Sequence, residues 1–345
     1  MIKEIEFRKD ELSGEIIETI YFGGGTPSLL SQKEIDAIID SVFENHRVID
    51  RPEITLETNP DDLSKDKIVE LSKSKINRLS IGIQSFFERD LKLMNRAHNA
   101  VEAKECLSEA IRHFDNISLD LIYGIPGLSH EEWRENIQTA LSFGVPHISS
   151  YALTVEPKTA LASFVEKGII EDVNDEQAHE QFHILIEELQ KANFIHYELS
   201  NFGKEGFFSI NNSSYWKGKS YIGIGPSAHS FNGKQRSWNV SNNSKYIEAI
   251  QKNELPIERE ILSKTDQYNE TVMTGLRTIW GVSLKYVEKN FGKSYLEYLT
   301  LQSKNYLQED LLYIENNSLK TTKKGKFLAD GIASELFMLN LTEKN

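Results

Sequence analysis

The chain has 345 residues, 39% of them hydrophobic and 26% charged, with a formal charge of −13. That length suits one large globular domain with a smaller one, and the acidic balance opposes contact with phosphate backbones, so nucleic acid is not an expected partner. No 18-residue uncharged apolar window and no basic-then-apolar leader ahead of Tyr21 argues for a membrane span or secretion, and the lone Cys106 rules out an internal disulfide framework and fits a reducing cytoplasm.

Ile2 to Leu12 reads as the tail of a helix. Glu18-Thr19-Ile20-Tyr21-Phe22 then reads as a strand that runs into Gly23-Gly24-Gly25-Thr26-Pro27, after which the capping-box pair Ser31 and Glu34 opens a helix. Glycines at a strand end let backbone amides approach a small charged molecule and adopt positive φ without strain, although an ordinary strand-to-helix turn uses the same residues. Glu53 to Glu57 is a second strand, closing at Asn59-Pro60, and Leu63 to Ser74 an amphipathic helix. Arg78 to Gln84 is a third strand, followed by helical stretches at Asp90 to Met94 and Ala100 to Phe114. Asn116 to Ile125 makes a fourth, Ser129 and Glu132 cap a helix running to Phe143, and His147 to Val155 makes a fifth. Strands alternating with helices predict a parallel sheet with its ligand site at the C-terminal ends of the strands.

Beyond Pro157 the rhythm changes to a long helix, Glu176 to Ala192, and short strands at His196 to Asn201, Ser220 to Gly225 and Ser237 to Val240. From Leu262 the chain reads as helical until a hairpin, Leu311 to Ile314 and Ser318 to Thr321, turning at Glu315-Asn316-Asn317. Helices, a hairpin and one more helix have the order of a winged-helix module, for which the acidic balance favours packing or interaction over DNA.

The polar residues of interest stand at the strand ends. Glu57, Gln84 and Asp120 place an amide and two carboxylates on successive strands around the glycine loop, where each alone would pass for a solvated structural group. Carboxylates accept from ribose hydroxyls and from ammonium, and Arg96 can pair with a ligand carboxylate at two points. A ligand that is nucleoside at one end and amino acid at the other, as S-adenosylmethionine is, satisfies that set.

Five blocks carry a resemblance over essentially the whole chain: Tyr21 to Ser28, Glu57 to Pro60, Arg78 to Ser85, Asp120 to Gly127 and Ile222 to His229. The sequence resembles radical S-adenosylmethionine enzymes of the coproporphyrinogen III oxidase-like group and, within it, the HemW branch of heme chaperones. The resemblance implies an α/β fold: an incomplete three-quarter (β/α) barrel lacking its first strand, with a smaller C-terminal α+β, winged-helix-like domain. The corresponding bounds are 1–157 for the barrel core, 158–261 for its extension and 262–345 for the C-terminal domain. By the same resemblance Gly24, Gly25 and Thr26 hold the methionyl end of the cofactor, Glu57, Gln84 and Arg96 further polar parts, and Asp120 the nucleoside side. Heme or another porphyrin, and heme-accepting client proteins, are the implied partners in the cytoplasm. Oxygen-independent coproporphyrinogen III oxidation is the alternative activity.

Two departures qualify that picture. Members of the group carry a Cys-x-x-x-Cys-x-x-Cys loop ahead of the glycine block that holds a [4Fe–4S] cluster; here Met1 to Thr19, ahead of that block, contain no cysteine, so the cluster is not expected on this chain, nor is radical chemistry, and a truncated start is the expected cause. The HemW branch also has a His-Asn-x-x-Tyr-Trp stretch tied to heme, which here reads Asn211-Asn212-Ser213-Ser214-Tyr215-Trp216. An amide does not replace an imidazole as an axial ligand, so Tyr215, Trp216 and His229 are the residues to consider for heme. Finally, His179-Glu180-Gln181-Phe182-His183 spells a zinc-protease signature, but no third ligand follows in context, and a solvated histidine pair is expected instead.

Overall fold

The computed structural model describes residues 1–12 and 14–339. Strands β1 (Ile17–Phe22), β2 (Val48–Thr58), β3 (Arg78–Gln84), β4 (Ile117–Tyr123), β5 (His147–Ala152), β6 (Ile195–Glu198) and β7 (Asn201–Gly203) form one sheet in the order β1-β2-β3-β4-β5-β7-β6. From β2 to β5 neighbours are parallel, and helices Lys65–Leu71, Ala100–Ala110 and His130–Ser142 lie between them in sequence. Leu79, Ile81, Ile83, Leu119, Leu121 and Ile148 are completely buried, the apolar half of a period-2 alternation whose other half is polar.

The parallel sheet expected of the first five strands is extended at its far side, where β7 runs antiparallel to β5 and β6 antiparallel to β7. His196 to Asn201 is therefore not one strand but two joined by Leu199-Ser200, because the Glu198 carboxylate accepts the Ser200 amide at 3.0 Å and the Asn201 side chain, and so turns the chain back. Both expected capping boxes form: Ser129 with Glu132 (2.8 and 3.2 Å) and Ser31 with Glu34 (2.8 and 3.4 Å), each satisfying helix amides that would otherwise be orphaned.

Close contacts divide the chain into two compact units, one of residues 19–36 and 51–209, the other of residues 1–18, 37–50 and 210–345. The second unit contains a three-stranded antiparallel sheet, β8 (His229–Phe231), β9 (Gln235–Asn239) and β10 (Ile257–Ile261), in the order β10-β9-β8. The expected strand at Ser220 to Gly225 is reduced to a single bridge, Tyr221 with Phe231. A Cβ at Gly223 would stand 2.1 Å from the His229 carbonyl oxygen, so the glycines press this segment against β8 instead of extending it. The expected N-terminal helix is shorter than Ile2 to Leu12 and spans Ile2–Phe7. Its Glu4, fully buried, accepts from the Gly225 amide (2.9 Å), the Asn239 side chain (2.7 Å) and the Tyr246 hydroxyl.

The last part of that unit packs helices Lys264–Leu276, Leu284–Phe291, Lys293–Gln302 and Ala329–Glu335 on strands β11 (Val282–Ser283), β12 (Leu312–Glu315) and β13 (Ser318–Thr321). Tyr268, Val272, Leu276, Val287, Leu299 and Leu336 form its core. The hairpin turns on Asn316 and Asn317, with φ of 48° and 60°, the primed geometry that suits strand twist and that asparagine tolerates. No helix among the described residues is long and apolar enough to cross a membrane.

Candidate functional site

Glu57 is the penultimate residue of β2, and its two carboxylate oxygens tie three pieces of chain together. Oε1 accepts the Tyr21 hydroxyl at 2.5 Å and Oε2 the Gly24 amide at 3.2 Å. Gly23 lies between: a Cβ there would stand 2.6 Å from Tyr21 Cε1 and 3.0 Å from Glu57 Cδ, so no larger residue fits. Gly24 and Gly25 take φ of 73° and 65° with open space beside them, and Thr26 is exposed. Burial and the adjacent Glu57 charge push the Tyr21 hydroxyl far above the usual range, so it remains a donor at every working pH.

Asp120 is not at a strand end as expected but is the middle residue of β4, opposite Ser149 of β5, while Glu57 lies opposite Ser80 of β3. Burial and then the Glu57 charge push the Asp120 carboxyl up to about 7, against the opposing pull of Arg78 and of hydrogen bonds with Ser149 and Ser80. Below it the polar half of the sheet continues. Arg78 and Glu53, both buried, pair at 3.8 Å; Ser118 hydrogen-bonds His147 Nδ1 at 2.7 Å, His147 Nε2 meets the Tyr197 hydroxyl at 2.8 Å, and Ser149 donates to Asn201 Oδ1 at 2.8 Å. Burial holds His147 well below the usual imidazole range, hence neutral. Sequence reasoning missed this interior. Its signal was present as a polar residue at every second position, Glu53-x-Thr55-x-Glu57, Arg78-x-Ser80, Ser118-x-Asp120 and His147-x-Ser149.

Gln84 ends β3 across a register break in which Ile81 pairs with Leu119 and Gln84 with Leu121, leaving an extra residue on β3. Its φ is 67°, a left-handed conformation that costs a non-glycine residue roughly 1–3 kcal/mol and that accumulates at ligand sites. A Cβ on Gly82 would stand 2.8 Å from Gln84 Nε2 and 3.3 Å from Arg96 Nη2, which places the amide and the guanidinium together over that glycine. Arg96 Nη2 donates to Asn59 Oδ1 at 2.6 Å, so Asn59, to which the sequence assigned no role, orients the arginine. His98, 2% exposed, donates Nε2–H to the Ile83 carbonyl at 3.1 Å and braces the bulge from behind. Thus Gly24, Glu57 and Asp120 make one polar group and Gln84, Arg96 and Asn59 a second, linked by the end of β2.

The loop after β4 is held by the helix Asp175–Lys191. The Gly124 amide donates to Gln181 Oε1 at 2.7 Å, and Gln181 Nε2 donates to the Leu128 carbonyl at 2.9 Å. Gln181 is an interior position of the His-Glu-x-x-His run, and that run turns out to matter here through its buried glutamine.

In the other unit, Tyr215 is 43% exposed and meets Tyr221 edge-on at 4.6 Å. Trp216 lies under the Arg277 guanidinium at 5.0 Å, and Arg277 also bonds Asp330. His229 is exposed on β8 beside Trp238, ring centroids 6.0 Å apart, and Asn211 is buried. The three aromatic candidates thus have separate surroundings.

A curled sheet, parallel from β2 to β5, with a glycine loop, Glu57 and Gln84 at strand ends and Asp120 within β4, defines a radical S-adenosylmethionine type of protein. The Radical SAM superfamily profile matches residues 2–140 and the HemN C-terminal domain profile residues 262–328. The fold is shared with coproporphyrinogen III oxidase (HemN) from Escherichia coli, at a TM-score of 0.81 and 19% identity over 98% of this chain and 81% of that one. The heme chaperone HemW of Bacillus subtilis is 33% identical over 92% of this chain and 84% of its own length, and that of Lactococcus lactis 32% identical over 97% and 88%. The chain belongs to the HemW family of radical SAM proteins.

That family implies S-adenosylmethionine, a [4Fe–4S] cluster and heme, which the residues fit unequally. The cradle at Gly23, the strained Gln84 and the half-buried carboxylates fit the nucleoside–amino acid cofactor. A cluster held by three thiolates does not fit: Cys106 is the one cysteine of the sequence, and it is buried on the helix Ala100–Ala110 with burial pushing its thiol up to about 12.

Proposed function

We propose that this protein binds S-adenosylmethionine at the strand ends of the seven-stranded sheet, takes up heme as cargo on the unit that carries β8, and serves heme delivery to client proteins in the cytoplasm. The observation that carries the cofactor reading is the Glu57–Asp120 pair. Burial and then the Glu57 charge raise the cost of ionising Asp120, and a ligand bearing a sulfonium, an ammonium and two ribose hydroxyls relieves it. In this reading the amides of Gly24, Gly25 and Thr26 receive the methionyl end, Glu57 its ammonium, Arg96 and Gln84 further polar atoms, and Asp120 the ribose diol. The bound cofactor would supply an alkylating sulfonium centre; the residues present do not fit the cluster on which a radical step depends.

For heme, His229 supplies an exposed imidazole as the iron ligand and Tyr215 an exposed aromatic edge, whereas the Trp216 face is already covered by Arg277. Equilibrium dialysis of the whole chain against S-adenosylmethionine, with a parallel hemin titration followed at the Soret band, tests both halves. One equivalent of each ligand, with hemin uptake lost in His229→Ala and cofactor uptake weakened in Glu57→Ala, is expected. Cofactor uptake unchanged in Glu57→Ala overturns the first assignment, and hemin uptake unchanged in His229→Ala the second.

A further inference from the structure

The helix Asp175–Lys191 carries a pair of imidazoles that the cofactor and heme readings leave unused. His179 and His183 are four residues apart and so lie one turn along the same face. Their Nε2 atoms are 3.1 Å apart, while the ring centroids are 4.5 Å apart and the rings stand at 84° to each other. The rings therefore lean together at those nitrogens. An ion bound at about 2.0–2.1 Å to two imidazoles holds the nitrogens roughly 2.9 Å apart at a right angle and roughly 3.4 Å apart in a tetrahedron, and the observed spacing falls between. Two imidazoles trans to each other on one heme iron would be about 4 Å apart, which this pair does not provide.

We propose that His179 and His183 form a two-imidazole chelate for a divalent transition ion, with Cu2+ held most tightly and Ni2+ and Zn2+ behind it, and with water filling the remaining positions. Among the described residues no group of three His, Cys, Asp or Glu side chains could hold a metal, so the run does not assemble a hydrolytic zinc centre. Glu180 faces elsewhere, its carboxylate 3.3 Å from His130 Nε2. With both rings neutral and no ion bound, one Nε2–H donates to the other Nε2. On binding, that ring moves its proton to Nδ1, both Nε2 lone pairs face the ion, and no proton is released. The chelate also staples the turn that contains Gln181, whose backbone carbonyl accepts Trp133 Nε1–H at 2.9 Å and whose side chain clasps the loop after β4. Ion binding therefore stiffens the helix that positions this loop.

The test is a calorimetric titration of the tag-free whole chain with CuCl2, and separately with ZnCl2, accompanied by electron paramagnetic resonance of the copper form. One stoichiometric site with a two-nitrogen hyperfine pattern is expected. His179→Gln and His183→Gln each abolish it, while His130→Gln and Glu180→Gln keep it, and Cu2+ raises the melting temperature only where the site survives. In the unsubstituted protein Cu2+ broadens the ring resonances of His179 and His183 before those of the other histidines, a readout that needs no variant to fold. Absence of a stoichiometric site, binding undiminished in either histidine variant, loss of binding in Glu180→Gln, or first broadening at another histidine each overturns the proposal.

Discussion

The strand ends of the seven-stranded sheet and the helix Ile210–Trp216 both carry residues that the sequence marks for a ligand, and they use them differently. In the sheet polar groups sit in states that folding alone does not favour: Gln84 at φ 67°, and Asp120 pushed up to about 7 beside a second carboxylate. On the helix the marked aromatics are engaged, Trp216 by Arg277 and Tyr215 by Tyr221. Retained strain and uncompensated charge are the signature of a place shaped for something else to complete it, whereas cation–aromatic contacts hold the fold itself. The contrast teaches that a motif match and a ligand contact are separable. Substitutions at the site should therefore weaken cofactor binding while leaving the ligand-free fold as stable or more so, and substitutions at Trp216 the reverse.

The largest effect that sharpens the contrast is one of stability. Because burial and the Glu57 charge raise the Asp120 carboxyl in the folded protein to about 7 from its ordinary 3.8, the stability that its protonated form contributes is complete below about pH 4 and is lost as pH rises through 7. Asp120→Asn removes that loss, so urea unfolding at pH 8 should find the ligand-free variant more stable than the unsubstituted protein by about 2–4 kcal/mol, with the difference vanishing near pH 4. Next, Glu57→Ala removes charge-assisted partners of Tyr21 and Gly24 and should weaken S-adenosylmethionine binding roughly 10–100-fold in a calorimetric titration. Gly23→Ala drives a methyl into Tyr21 and the Glu57 carboxyl and should weaken the same binding about tenfold, while Gly331→Ala, in open space on a helix, should leave binding alone and add about 0.5–1 kcal/mol of stability. Trp216→Ala should cost about 1 kcal/mol of stability by thermal unfolding, without loosening the cofactor. If Trp216→Ala weakened the cofactor and Glu57→Ala only unfolded the protein, the contrast would be broken.

Much of this was legible in the chain. Arg78–Gln84 is a strand residue for residue, Asp175–Lys191 is shifted by one residue from the expected helix, and both capping boxes close as written. Local chemistry determines such elements, so local reading finds them. β2 starts at Val48, five residues before the expected Glu53, because Pro52 and the charges around it mask an extended segment. The β6–β7 reversal was hidden because its turn, Leu199-Ser200, lacks glycine and proline and depends on a buried carboxylate. At the site, Glu57 and Gln84 could be read from polarity at strand ends, and Asp120 from a carboxylate inside an apolar strand. Asn59, His98, Arg78 and His147 act through partners 15–50 residues away, such as the Ile83 carbonyl and the Tyr197 hydroxyl, and no local pattern states such pairings.

The most direct measurement is a titration of the whole chain with S-adenosylmethionine at pH 6 and pH 7.5, beside the same pair of titrations on Asp120→Asn. A proton and the cofactor compete for Asp120, so affinity should be roughly eightfold weaker at pH 6 in the unsubstituted protein and nearly equal at the two pH values in the variant. No binding at either pH, or a pH dependence that survives in Asp120→Asn, would contradict the assignment of the Glu57 and Asp120 carboxylates to the cofactor.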